Sequence, residues 1–311
     1  MFKRYNSLSD FLKNKFGCKV FKVSLNAGLT CPNRDGTKGT GGCIYCAPET
    51  LIPSNYNENL GIKEQLHKGI EYIRKRHKAE KFISYFQINT NTYASVSELE
   101  KLYREGIDHQ YVVGMAVSTR PDCVDDEVLD LLKELSKEKF LYLELGLQSS
   151  HNKTLKLINR CHTVEDFTGA VERAKKRDIP VCAHVILGLP GEKKEDILNT
   201  ARFLADLGIW GIKLHHTHIH KDTKLEEMYR KGEFRPLALE EYAELAVDFL
   251  QEMPKDVIIH RLCGDTSRRF LVAPDWSVNK FVILEKIHRI FEERNTYQGA
   301  KIKQNQIVAR V

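Results

Sequence analysis

The sequence predicts an α/β fold, an incomplete (β/α)6-type barrel with a short C-terminal strand and helix extension. Three observations carry this. Strand and helix patterns alternate from residue 20 to residue 295, which means a parallel sheet covered by helices. No G-x-G-x-x-G follows the first strand, which argues against the alternative, a doubly wound open sheet. A cysteine-bearing loop leaves the C-terminal end of that strand, the end at which barrels carry their chemistry.

The elements follow in order. Residues 20–26 (VFKVSLN) alternate and form the first strand, and residues 62–77 a helix. Residues 81–88 (KFISYFQI) are a strand, followed by a helix from about Val96. Residues 112–119 (VVGMAVST) form the third strand, and Asp125 to Lys139 a helix with acidic residues in its first turn, as the helix dipole favours. LYLELGLQ at 141–148 is a strand and 164–177 a helix; VCAHVILG at 181–188 is a strand and 193–208 a helix. GIKLHHTHIH at 211–220 is the sixth strand, 238–253 a helix, and VIIHRL at 257–262 a candidate seventh strand. Residues 278–295 close the pattern with an amphipathic helix whose apolar face carries Phe281, Val282, Leu284, Ile287 and Phe291. The expected organisation is an N-terminal extension (1–19), the barrel (20–222) and a C-terminal α/β extension (223–311) packed on it as one unit.

Bulk properties bound the function. A chain of 311 residues, 42% hydrophobic, can bury a large core. No apolar run approaches the roughly 18 residues of a membrane span, and MFKRYNSLSDFLKNKF lacks the apolar region of a secretory signal. A cytoplasmic location and no membrane are expected. The net charge of +6 permits a polyanionic partner without requiring one. Arg74-Lys75-Arg76, Lys175-Lys176-Arg177 and the tail AKIKQNQIVARV read as solvated faces.

Eight cysteines in a long chain of a reducing compartment point to metal or redox use rather than disulfides. Cys31, Cys43 and Cys46 stand in CPNRDGTKGTGGCIYC with the spacing C-x11-C-x2-C and no fourth cysteine close by. A structural zinc site takes four ligands, and a [4Fe–4S] cluster is usually held by four thiolates. Three thiolates would leave one iron open to a substrate or cofactor. Gly36, Gly39, Gly41 and Gly42 allow the loop to approach a bulky group, and Tyr45 can pack against the cluster or a bound purine. A zinc loop completed by a distant His or Cys is the alternative. Cys18, Cys123, Cys161, Cys182 and Cys263 are scattered singly and read as small buried apolar residues. Cys263, near the end of a candidate strand, is also a candidate hydrogen donor or radical partner. On a strand His216, His218 and His220 share one face. The run His215–His220 is expected to line the substrate end of the barrel or contact phosphate, with a second metal as the alternative.

The aromatic before the last cysteine of a C-x2-C pair, after strand one of a (β/α) pattern, resembles the radical S-adenosylmethionine (SAM) superfamily. The x11 gap is similar to its YhcC/YtqA-like branch, which is related to the elongator catalytic subunit. YFQINTNTYA at 85–94, STRPDC at 118–123, ELGLQSSHNKTLKLINRCHT at 144–163, HVILGLPGE at 184–192, HRLCGD and APDW agree with that branch, so the resemblance runs over nearly the whole chain.

The resemblance implies a radical SAM barrel in which Cys31, Cys43 and Cys46 hold a [4Fe–4S] cluster. Its open iron would bind the amino and carboxylate groups of SAM, and reductive cleavage would yield a 5′-deoxyadenosyl radical. It implies that Thr90, Asn91 and Thr92 stand where the superfamily has a Gly-Gly-Glu stretch touching the SAM amino group. Gln148 would contact SAM, and the Arg160 guanidinium would pair with its carboxylate. Ser118 stands where relatives carry a glutamate for the SAM ribose. Glu144 is a candidate for the ribose or the substrate, or else a structural ion pair, and the backbone at Ile186, Leu187 and Gly188 would line the adenine site.

The implied function is modification of a tRNA wobble uridine at its C5 side chain, for example carboxymethylaminomethyl to aminomethyl. Hydrogen abstraction beside the nitrogen, loss of an electron and hydrolysis of the C–N bond would achieve it. The implied partners are tRNA and an electron donor such as flavodoxin or ferredoxin. The elongator subunit's acetyltransferase domain has no counterpart here, so acetyl transfer is not expected. A radical SAM enzyme acting on a small metabolite or peptide is the second reading, and a non-catalytic zinc-stabilised RNA-binding protein the third.

Overall fold

The computed structural model describes residues 4–51 and 60–302. Its regular elements are α1 (Leu8–Phe16), β1 (Val20–Leu25), α2 (Ile62–His77), β2 (Lys81–Phe86), α3 (Val96–Ile107), β3 (Val112–Thr119), α4 (Asp126–Ser136), β4 (Phe140–Gln148), α5 (Asn152–Leu157), α6 (Val164–Lys175), β5 (Val181–Leu187), α7 (Lys194–Leu207), β6 (Gly211–His216), β7 (Ile219–His220), α8 (Lys224–Arg230), α9 (Leu239–Gln251), β8 (Ile258–Arg261), β9 (Leu271–Ala273) and α10 (Lys280–Glu293). Most of the C-terminal basic stretch expected to be a solvated face lies outside the described residues.

Seven parallel strands form one sheet in the order β1-β2-β3-β4-β5-β6-β8, and its edge strands β1 and β8 do not pair with each other. The result is a curled half-barrel. Strand alternation divides its two faces. Phe82, Phe86, Met115, Val117, Leu143 and Val185 point out under the helices and join the main core. Ile83, Tyr85, Ala116 and Tyr142 point into the concave side.

Helix α1 belongs to this concave side. Its N-cap Ser7 accepts from the Asp10 amide, and Gly17 ends it in the left-handed conformation. Leu8 and Leu12 pack on Ile83, Tyr85, Tyr142 and Ile258, with Phe11, Phe16 and Trp210 around them. The Ile259 amide donates to the Asn6 carbonyl at 2.7 Å, joining the N-terminal segment to β8. The segment read as an N-terminal extension therefore plugs one end of the half-barrel.

Two expectations are corrected. The sixth strand does not run from 211 to 220; β6 stops at His216, and β7 pairs antiparallel with β9 instead. Thr217 makes the break, because its hydroxyl donates to the carbonyls of Leu187 and Gly188 at 3.1 and 2.9 Å and bends the chain over the end of β5. In α10 the buried stripe is Ile283, Ile287, Ile290 and Phe291, whereas Phe281 and Val282 are 74% and 41% exposed. Leu284, Ile287 and Phe291 of the expected face do pack inward, and Ile283 and Ile290 complete the i, i+4, i+7, i+8 stripe in place of Phe281 and Val282.

Candidate active site

The site is built from the loop after β1 upward. Tight turns fold its eleven-residue gap into a compact excursion. The Arg34 amide donates to the Cys31 carbonyl at 2.8 Å, Lys38 donates to Pro32 at 2.8 Å, and an antiparallel bridge joins Asp35 to Thr40. Gly41 and Gly42 carry φ of 76° and 79°, which glycine adopts without the Cβ clash, and they return the chain to Cys43. The loop is clasped from outside. The Asn33 amide donates to the Asn159 carbonyl at 2.6 Å, and Asn159 donates back to the Gly42 carbonyl at 2.8 Å. Neither asparagine was singled out in the sequence.

Cys31, Cys43 and Cys46 line one cavity of about 440 Å³. Three side chains aim N–H groups at two of the sulfurs. Arg160 Nη1 is 3.5 Å and Asn33 Nδ2 3.6 Å from Cys43 Sγ, and Arg34 Nη1 is 3.9 Å from Cys46 Sγ. Burial, then the neighbouring Cys43, pushes the Cys46 thiol up to about 11. That holds even with the Arg34 guanidinium beside it, and a bound metal would hold the sulfur as thiolate. Among the described residues, one group of three potential ligands has its atoms all within 4.8 Å of each other: Glu144, Cys182 and His260. The loop cysteines do not converge that closely. A single zinc ion, with Zn–S bonds of about 2.3 Å, would draw them tighter. A sulfur spread of this kind, with N–H donors around it, fits a cluster.

Strand β4 supplies the next face. A register irregularity skips Leu147 in the pairing with β5, so that Gly146 faces His184 and Gln148 faces Val185, and Gln148 takes φ of 73°, a left-handed value that non-glycine residues rarely adopt. Gln148 lines the cavity, as does Arg160. Arg160 is already engaged: Nε donates to His162 Nε2 at 2.9 Å and Nη2 to the Gly146 carbonyl at 3.0 Å. Burial opposes its charge, but Tyr45 and Cys43 hold its pKa above the usual arginine value.

Thr90, Ser118, Tyr45 and Ile186 also line the cavity, and the Tyr45 hydroxyl is buried without a partner. Asn91, Thr92, Leu187 and Gly188 stand behind this lining. Asn91 Nδ2 donates to the Ser118 carbonyl at 2.9 Å, and the Thr92 hydroxyl contacts Thr119 and the Cys123 carbonyl. Cys263 is buried in the main core, and burial pushes its thiol up to about 11.

Glu144 is fully buried on the concave face. Oε1 takes Lys22 Nζ at 2.6 Å, and Oε2 takes Lys213 Nζ at 2.9 Å, His184 Nε2 at 2.8 Å and the Tyr85 hydroxyl at 2.5 Å. Burial alone would raise its carboxyl; Lys213 and Lys22 outweigh burial and hold it well below the usual range. Tyr85, His184 and Lys213 face the cavity from this network.

The histidine run forms the wall beyond. His216 and His218 lie 4.2 Å apart by ring centroid and His218 and His220 5.3 Å, brought together by the bend rather than by one strand face. These rings line the cavity with His215, Arg261 and Asp265.

Residues 33–204 match the model of the Radical SAM superfamily, and residues 209–293 match that of the Radical_SAM C-terminal domain. The chain is 39% identical to YtqA of Bacillus subtilis over 297 residues, covering 96% of this chain and 92% of that protein. It is 30% identical over 215 residues to a tRNA uridine(34) acetyltransferase of Methanocaldococcus infernus, covering 67% of this chain and 38% of that protein. The structure of the archaeal Methanocaldococcus infernus Elp3 with an N-terminal deletion superposes with a TM-score of 0.71 at 21% identity, covering 90% of this chain and 64% of that one, and so shares the fold. Three cysteines at the mouth of a parallel half-barrel, matched from the cysteine loop to the last helix, mean that the chain belongs to the radical SAM superfamily, in its YhcC/YtqA-like branch.

Proposed function

We propose that this radical SAM enzyme acts on a wobble uridine of tRNA and alters its C5 side chain, for example from carboxymethylaminomethyl to aminomethyl. Members of the family use a [4Fe–4S] cluster and SAM. The observation that carries the substrate is the 30% identity, over two thirds of this chain, to a protein named for acting on uridine 34 of tRNA. The net charge of +6 favours approach to a phosphate backbone, with affinity falling as salt rises. Unstacked loop bases are the cheapest to draw into such a cavity.

In this reading Cys31, Cys43 and Cys46 hold the cluster, and Asn33, Arg34 and Arg160 stabilise their thiolates with N–H groups. Bound there, the cluster and SAM would supply a 5′-deoxyadenosyl radical for hydrogen abstraction. Gln148, Thr90 and Ser118 would hold SAM beside the thiols, with Ile186 on its adenine side. Helix α1 closes one end of the half-barrel against water, which protects a radical from quenching. A small acidic electron carrier such as flavodoxin or ferredoxin is the proposed reductant. Among the described residues no helix is long and apolar enough to cross a membrane.

Two measurements test this. Reduced, anaerobically reconstituted enzyme incubated with SAM is expected to release 5′-deoxyadenosine; none would defeat the radical assignment. Cells lacking the gene are expected to show an altered wobble nucleoside in tRNA. An unchanged nucleoside profile beside intact 5′-deoxyadenosine release would move the substrate to a small metabolite or peptide.

A further inference from the structure

We propose that His215, His218, Lys213 and Arg261 form an oxyanion subsite in the cavity, which holds a carboxylate or phosphate group of the substrate. The placement comes from the sheet. Lys213 and His215 are two apart on β6 and share its inward face, and Arg261 is the register partner of Lys213 on β8. His218 folds back over them after the break at Thr217. Gly264 makes room for both rings: a Cβ there would lie 2.6 Å from His218 Cε1 and 3.1 Å from His215 Nδ1.

The polar groups of this wall are incompletely matched. His215 Nε2 and His218 Nε2 are buried with no hydrogen-bond partner, as are Nδ1 of His216 and Nδ1 of His220, two side chains more than nine-tenths buried. Leaving a buried polar atom unpartnered is costly, so a site keeps such atoms where a ligand satisfies them. Charge is unmatched as well. Lys22 and Lys213 share the single carboxylate of Glu144, and Arg261 reaches Asp265 at 3.1 Å on the half-exposed side. Three cations face two anions, and the missing group is an anion.

Burial, followed by the Arg261 charge, holds His215 well below the usual imidazole range, and burial, followed by the neighbouring His216, does the same for His218. Both are therefore neutral and offer N–H donors, while Lys213 and Arg261 supply charge. A divalent metal does not fit this wall. Two cations stand beside it, and among the described residues its histidines are not in a convergent group of three ligand atoms.

If the substrate is the side chain proposed above, its terminal carboxylate is the natural occupant; a backbone phosphate is the other source of the same chemistry. The identity of the carboxylate thus rests on that reading, whereas the subsite does not. Calorimetry on reconstituted full-length enzyme should compare 5-carboxymethylaminomethyluridine, 5-aminomethyluridine and inorganic phosphate, with wild type, Arg261→Met and Arg261→Lys. The carboxylated nucleoside is expected to bind wild type about 10-fold or more tighter than the amine, as charge-assisted hydrogen bonds provide. Arg261→Met should erase the difference and Arg261→Lys restore part of it, with thermal midpoints near wild type. Phosphate binding that depends on Arg261, without a carboxylate effect, would support the subsite and assign it to a backbone phosphate. Equal binding of all probes by wild type and Arg261→Met, or no binding by wild type, overturns it. An unchanged tRNA profile beside Arg261-dependent anion binding would sink the wobble-uridine reading and leave the subsite; the reverse pair of results would do the opposite.

Discussion

Lys213 Nζ of β6 lies 2.9 Å from Glu144 Oε2 of β4, reaching across the concave face past His184 of the intervening β5. With Lys22 of β1 and Tyr85 of β2 on the same carboxylate, one buried anion ties together strands from one edge of the sheet to near the other. Removing its charge leaves Lys22 and Lys213 close together with no anion between them. Glu144→Gln is therefore expected to destabilise the fold by about 3–5 kcal/mol, the range for breaking a buried pair. Lys213→Met should cost less, since Lys22 still neutralises Glu144. Urea unfolding checks both; a Glu144→Gln loss below about 1 kcal/mol would mean that apolar packing, not this network, sets the concave face.

Acid should weaken the protein before its carboxylates titrate. Burial lowers His216 and His260 to about 3, against an unfolded value near 6.5. Between these limits the unfolded chain binds protons that the folded one refuses. Stability is thus complete above about pH 6.5 and falls as pH drops toward 3, by about 1.4 kcal/mol per pH unit for each such histidine. Lys213 adds a separate alkaline effect: burial, partly opposed by Glu144, lowers it to about 8, so its contribution rises with pH from about 8 to its ordinary 10.5. Urea midpoints at pH 7.5, 6 and 5 test the acid limb; a flat profile would contradict the buried neutral state of these rings.

Much of this architecture was legible in the chain. Ile62–His77 and Val112–Thr119 have the bounds that their periodicity indicated, because long periodic segments settle their own extent. The cysteine loop was readable because spacing and glycines are local. What escaped depends on distant partners. Glu144 could be put on a strand, but Lys22 is 122 residues away, and Asn33 meets the Asn159 carbonyl across 126. The end of β6 was invisible because Thr217 and His218 continue a strand-like pattern. A hydroxyl bonding to the end of β5, a tertiary contact, stops it. Helix α1 looked like an appendage because its apolar residues gain meaning only when the sheet curls around them.

The cysteines separate by environment. Cys43 is buried under Arg160 and Asn33, while Cys161 is exposed, with φ of 56°. Cys43→Ala is expected to abolish most iron binding and 5′-deoxyadenosine release. Cys161→Ser should retain the iron of wild type. Iron analysis and visible absorbance after anaerobic reconstitution decide the matter: full iron in Cys43→Ala removes Cys43 from the ligand set.

Gly146 is small for a reason specific to the site. A Cβ on it would lie 2.5 Å from Arg160 Nη2 and 2.8 Å from Gln148 Nε2, distances no real Cβ keeps. Both obstacles are the ends of flexible side chains, so Gly146→Ala displaces them without forcing the backbone of β4. Arg160 would lose its 3.0 Å bond to the Gly146 carbonyl and withdraw Nη1 from Cys43 Sγ, while Gln148 would turn from the cavity. The thiols themselves stay in place. Gly146→Ala is thus expected to hold near-normal iron and a thermal midpoint close to wild type, yet to bind SAM about 10-fold more weakly, as loss of charge-assisted hydrogen bonds implies. Equilibrium binding of SAM to the reconstituted variant measures this. Unchanged affinity would show that the SAM carboxylate is held elsewhere and that Arg160 serves only the sulfur of Cys43; lost iron would show that the guanidinium is needed to keep the cluster itself.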